Sequence, residues 1–228
     1  MKKVYRKIIA ISCFICVSLS SFSTAFAATD VPETKINDPV TVATFTDENR
    51  GATISFIDTN LQKKNLITPY GEVNEVYDHT DYVYNYSAIS SYDVGPRNND
   101  KFLLSVARGS TKSLTSAVDV SGTVSVSGNV EGKIAEVIKL GMTSSVSGTL
   151  KFTWTTNRVF IGPDAPYNSR SYYGAINYDN YTCYVTKVDY YKRYNGVTYM
   201  GMVNYSSNIT VSNVKKPKGV EYSVDSKQ

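Results

Sequence analysis

The chain of 228 residues is poor in the groups from which active sites and metal sites are built, with three cysteines, one histidine and one tryptophan. Cys13 and Cys16 fall in an N-terminal segment expected to be removed, so Cys183, in "YTCYV", stands alone. One cysteine excludes an intramolecular disulfide and a cysteine-built zinc site, and here it reads as a buried thiol in a strand. His79, in "YDHTDY", has no Cys–His partner marked in the sequence and no G-x-S-x-G serine to complete a triad, so it reads as a surface loop histidine. The stretch 107–113, "ARGSTKS", lacks the glycine before Lys112 that a phosphate-binding loop needs. No run has zinc-ligand or calcium-loop spacing. The expectation is a non-enzyme with no catalytic residues, no metal and no cofactor. A pair of carboxylates acting on a glycan leaves no local motif, and that alternative stays open.

Excess charge is missing as well. The formal +4 of the whole chain comes from Lys2, Lys3, Arg6 and Lys7, which leaves 20 basic and 20 acidic residues after position 27. A balanced chain lacks the cationic field that nucleic-acid binding rests on. Long apolar runs are confined to Ile8–Phe22, which follows that basic cluster and precedes Ala25-Phe26-Ala27. These are the three parts of a secretory signal peptide, so residues 1–27 are expected to be cleaved and the protein secreted, extracellular, from a Gram-positive bacterium.

What the chain does have is alternation. The expected class is all-β: an antiparallel sandwich or long curled sheet with one long central hairpin and a short helical connector. The expected organisation is a flexible lead-in at 28–39, a single β domain at 40–214 and a mobile tail at 215–228. Six tyrosines lie between Tyr70 and Tyr92, none from 93 to 166, and twelve between Tyr167 and Tyr222. In "VTKVDYYKRYNGVTYMGMVNYS" the pair Asn195-Gly196 suits a two-residue turn. Placing Tyr194 opposite Val197 sets Lys192 opposite Tyr199, Tyr190 opposite Gly201 and Val188 opposite Val203. One face then collects Tyr184, Val188, Tyr190, Tyr194, Val197, Tyr199, Val203 and Tyr205. Such a face is either half-buried with its hydroxyls in water or a surface for carbohydrate or a partner.

The middle of the chain, "VDVSGTVSVSG" and "SSVSGTLKFTW", alternates with unusual regularity. From Leu114 to Val130 and from Met142 to Thr156 the even positions are uncharged and mostly apolar, and the odd ones mostly Ser or Thr. Pairing the strands symmetrically about Ala135 sets Gly122 against Gly148 and Asp119 against Lys151. Between them, "EGKIAEVIKLG" switches period, with Ile134, Val137 and Ile138 on one helical stripe and Glu131, Lys133, Glu136 and Lys139 off it. Too short to stand free, this helix is expected to pack on the sheet.

A ribbon with one apolar face is a sheet wall or a membrane-inserting hairpin. Residues 112–156 resemble the Ser/Thr-rich stem of aerolysin-type (epsilon-toxin/mosquitocidal-toxin) β-pore-forming proteins, and the ribbon is also similar to small exported proteins of Gram-positive bacteria. The first expectation for function is a binding protein that holds a cell-envelope component or partner through Tyr184, Tyr190, Tyr194, Tyr199 and Tyr205. The alternative, which the resemblance implies, is an oligomerising pore former. In that reading Val118, Val120, Val124, Val126, Val146, Leu150, Phe152 and Trp154 face lipid. The expected partners are a cell-surface or envelope component, with no nucleic acid, a membrane only in the alternative reading, and a monomer when soluble.

Overall fold

The computed structural model describes residues 35–36, 40–41, 49–62 and 73–227. The expected signal peptide and most of the expected lead-in lie outside them. The fold is all-β and antiparallel. In chain order the strands are β1 (Lys35–Ile36), β2 (Val40–Thr41), β3 (Thr53–Phe56), β4 (Val73–Ser91), β5 (Asn98–Ala107) and β6 (Thr111–Ser113). They continue with β7 (Val118–Thr123), β8 (Ser125–Val126), β9 (Thr149–Trp154), β10 (Val159–Ile161), β11 (Ser169–Asn195) and β12 (Thr198–Ser226). Two helices interrupt them, α1 (Thr59–Gln62) and α2 (Gly132–Thr143).

An eight-stranded sheet in the order β1-β12-β11-β4-β3 carries the structure, with β5 on β11 and with β2 and β8 on β12. Its spine is the hairpin of β11 and β12, 27 and 29 residues long. Both strands are dense in Tyr, Val, Thr and Ile, the residues that fit a pleated surface. One edge of β11 takes β5 along Ser169–Ile176 and β4 along Asn180–Asn195.

The expected mobile tail at 215–228 is instead the end of β12, in strand through Ser226 and mostly buried. Its charges have partners. The Arg170 guanidinium grips the buried Asp225 carboxylate through Nε and Nη2, and Lys218 reaches Asp93 at 2.9 Å and Asp179 at 2.8 Å. Pro217, which has no N–H to donate, sits between the β8 and β2 pairings, where the ladder does not need one. The lead-in is also tied down at its end, since Lys35 and Ile36 pair with Asp225 and Val224.

Alternation along β11 divides what packs on it. The even-numbered Ile176, with Tyr172 and Tyr178, packs with Val120, Leu150, Phe152 and Trp154 of the β7–β9 pair. The odd-numbered Cys183 and Val185 pack with Tyr82, Tyr84 and the stripe Ile134, Val137, Ile138 and Met142 of α2.

Candidate functional site

The ribbon of residues 114–156 folds as a small two-stranded sheet of its own, laid on the long one. The paired strands are shorter than the alternation suggests, because residues 132–143 are helix and Met142 belongs to its buried stripe. The register also differs by two residues from the symmetric one. Gly122 faces Leu150 rather than Gly148, and Ser121 faces Lys151. Even positions still meet even ones, so the two faces are preserved. Asp119 and Lys151 meet diagonally, at 2.7 Å, and Thr153 donates to Asp119 at 2.6 Å. Lys151, and then Thr153, hold the Asp119 carboxyl below its usual range.

Of the eight residues proposed to face lipid, Val120, Val124, Leu150, Phe152 and Trp154 are buried beneath the ribbon, while Val118 and Val126 are half-buried. Val146 is the exception. It lies in the turn after α2 and is 56% exposed.

The floor under the ribbon carries the side chains of Ile176 and Pro217, and two glycines in it make seats for rings. A Cβ on Gly174 would stand 2.8 Å from the Trp154 indole, and one on Gly219 would stand 2.6 Å from the Phe152 ring. Gly141 of α2 meets the Tyr84 ring in the same way. These rings therefore rest on bare backbone. Glu221 lies in this seam, 3.1 Å from Arg158, and burial raises its carboxyl above the usual range. Its Oε2 and the Trp154 Nε1 are both buried in the seam, and the indole N–H together with Arg158 offsets part of the cost of burying the carboxylate.

Three ties close the ribbon onto the long sheet, one of them Asn99 Nδ2 donating to the Ser121 carbonyl at 3.1 Å. Ser125 and Val126 of β8 pair with Lys215 and Val214 on the edge of β12. At the start of α2, the Tyr82 hydroxyl donates to Glu131 at 3.2 Å, and burial beside that carboxylate pushes the phenol up to about 12. At the other end, the α2 chain reverses at Ser144, whose left-handed backbone lets its N–H cap the Leu140 carbonyl.

The tyrosine face is real but differently composed. The turn falls on Gly196-Val197, with Asn195 opposite Thr198 and Tyr194 opposite Tyr199. Gly196 takes φ +58 at the first central position, as a type II′ turn requires. Tyr184, Tyr190, Tyr194 and Tyr199 share the even-numbered side of β11 in its half toward the turn, beyond the part that the β7–β9 pair covers. His79 stacks on Tyr190 at 4.5 Å, Tyr86 on Tyr184 at 4.5 Å, and Tyr194 meets Tyr199 at 5.6 Å.

Tyr205 is not among them. Met200 is an extra residue on β12, where Gly201 takes φ +124, and this bulge turns over the residues that follow, as far as a second bulge between Val211 and Val214. Tyr205 and Val203 therefore face the odd-numbered side. There Tyr205 packs on Tyr191 and donates to Glu75 at 2.9 Å, beside Arg193. A bulge in β4, at Asn85, lets Tyr86 join the open face while Tyr82 and Tyr84 point into the core. The alternating "YVYNY" announces three rings in a row but not the bulge that parts them.

His79 stands in β4 rather than in a loop, its Nδ1 2.7 Å from Asp78 Oδ2 and its Nε2 3.7 Å from Asp81. Among the described residues no helix is long and apolar enough to cross a membrane, and no cluster of three His, Cys, Asp or Glu residues could hold a metal. No family model, curated protein or solved structure matches the chain.

Proposed function

We propose that this chain is an exported, non-enzymatic β protein that acts on membranes, its central ribbon leaving the long sheet to span a bilayer. The reading is carried by the way the β7–β9 ladder continues. Val124 already donates to the Gly148 carbonyl at 2.8 Å, one step beyond the Thr123–Thr149 pair. Continued in the same register, the ladder pairs Ser125 with Ser147 and Val126 with Val146. Two strands of nine residues result, Val118–Val126 and Val146–Trp154, with Val, Gly, Leu, Phe or Trp at every even position. Nine residues is about the length that crosses the hydrocarbon layer. Folded as it is, the chain gives Val146 no packing role and diverts Val126 to β12. Extension would satisfy both.

Leaving the sheet breaks few backbone hydrogen bonds, since only β8 is laddered to it and the rest is side-chain packing on the floor with the hydrogen bonds from Asn99 and Tyr82. Lipid then replaces that floor, while the Ser/Thr face lines water. A lone hairpin has unpaired edges, so the spanning form needs a ring of copies. Glu131, Lys133, Glu136 and Lys139 ride on the tip, and their passage is the costly step.

The test is a lock. In Ser125→Cys/Lys215→Cys a disulfide joins two Cα partners of β8 and β12. Wild type should release dye from vesicles of phosphatidylcholine, with or without phosphatidylglycerol. The oxidised lock should not, until dithiothreitol restores release. No release by wild type on either membrane, or release by the oxidised lock at the wild-type rate, refutes the reading.

The open aromatic face favours a second role, contact with a cell-envelope component. Tyr190→Ala and Tyr199→Ala should each weaken pull-down by purified cell walls or polysaccharide without changing the melting temperature. Equal retention of both variants removes this role.

A further inference from the structure

From Gly196 to Val214 the chain runs nineteen residues without a charged side chain or a proline. This run forms the distal half of β12, whose inner edge is paired with β11. On the outer edge the described pairings are β8 at Val214 and Lys215, β2 at Val220 and Glu221, and β1 at Val224 and Asp225. From Thr198 to Asn213 no described residue pairs with that edge, and residues 204–208 are all exposed. A long free edge is a template for another strand, and proteins usually blunt one with lysine, proline or a covering segment. The bulge at Met200 blunts only the end nearest the turn.

We propose that the outer edge of β12 takes the same edge of a second copy, by antiparallel strand addition about a two-fold axis near Ser206. Main-chain groups supply the bonding, and the sequence suits its own reverse. About Ser206, Asn204 meets Asn208, Tyr205 meets Ser207, and the half-buried Val203 meets the half-buried Ile209. With no charge on the run, two copies approach without repulsion, and a charged partner strand would find no counter-charge. The stretch from Met202 to Thr210 lies beyond the bulge and adds about 30 Å of ladder at 3.3 Å per residue. A two-fold pair closes on itself and uses up both edges. The inference stands on the edge alone and does not depend on membrane insertion, which needs contacts between ribbons.

Sedimentation velocity of the secreted chain from nanomolar to high micromolar should pass from monomer to dimer. Hydrogen exchange should slow at residues 198–213 as the dimer forms. Asn204→Lys/Ser206→Lys replaces two exposed residues and should weaken dimerisation by about tenfold or more with an unchanged melting curve, because it sets four like charges around the axis. A wild type that stays monomeric throughout overturns the proposal. So does a dimer that leaves exchange at 198–213 unchanged, or a folded double variant that associates as wild type does.

Discussion

Glu221 works against the packing around it. Its carboxyl is raised by burial in the seam under Trp154, and Arg158, itself partly exposed, offsets only part of that cost. An acid with a raised folded pKa adds stability that is fully present below its ordinary value of 4.5 and is lost as pH rises through the folded value. At neutral pH the ionised group therefore loosens the ribbon, and acid tightens it. Glu221→Gln should melt a few degrees above wild type at pH 7, as about 1 kcal/mol does in a domain of this size, with the gap closing toward pH 4. A variant that melts no higher at pH 7 would show the carboxylate to be well satisfied where it is. Residue chemistry of this kind was hidden in the sequence. Glu221 sits in "KKPKGVEYSVD", where the lysines suggest a solvated end and the alternation of Val220, Tyr222 and Val224 is easily passed over. That alternation was the signal, because those three residues pack with Ala175 and Tyr173.

Strands were legible wherever period two ran unbroken, and the ribbon's two faces came through a register error intact because the error was an even number of residues. Faces were misread where a strand carried an extra residue. Nothing in "TYMGMVNY" distinguishes a Met200 that continues the pleat from one that bulges, since the choice depends on the partner strand. The ribbon itself offers a sharper comparison between two of its valines. Val120 is buried, worth roughly 1.5–3 kcal/mol, and Val120→Asp should unfold or strongly destabilise the protein whatever its function. Val146→Asp changes a residue that this fold leaves exposed, so its melting curve should match wild type. On the lipid face of an extended strand the same charge is costly, less so near the membrane surface than at its centre, and vesicle leakage should fall severalfold. Leakage equal to wild type in a normally folded Val146→Asp protein counts against the extended ladder.

Taken whole, the molecule is a long hairpin with smaller pieces seated along it, and the all-β class followed from the sequence because nearly every segment alternates. That the spine is β11 and β12 did not follow. The sequence draws the eye to the regular ribbon at 114–156, whereas β12 is interrupted by Pro217, by glycines and by lysines, of which Lys218 finds its partners, Asp93 and Asp179, in other segments. Long-range ion pairs and glycine seats leave no periodic mark. The balanced charge and the confinement of apolar length to residues 8–22 raise the expectation of export, and they are silent on which surface acts.

The glycine seats have a consequence for how such a protein can change through descent. Selection for a folded chain holds Gly141, Gly174 and Gly219 fixed, since any side chain there would prise a ring from its seat. The same selection is blind to Val146, which drifts freely unless membrane activity is also required. Lineages that abandon that activity would keep the glycines and lose the valine, so the two kinds of position record separate histories.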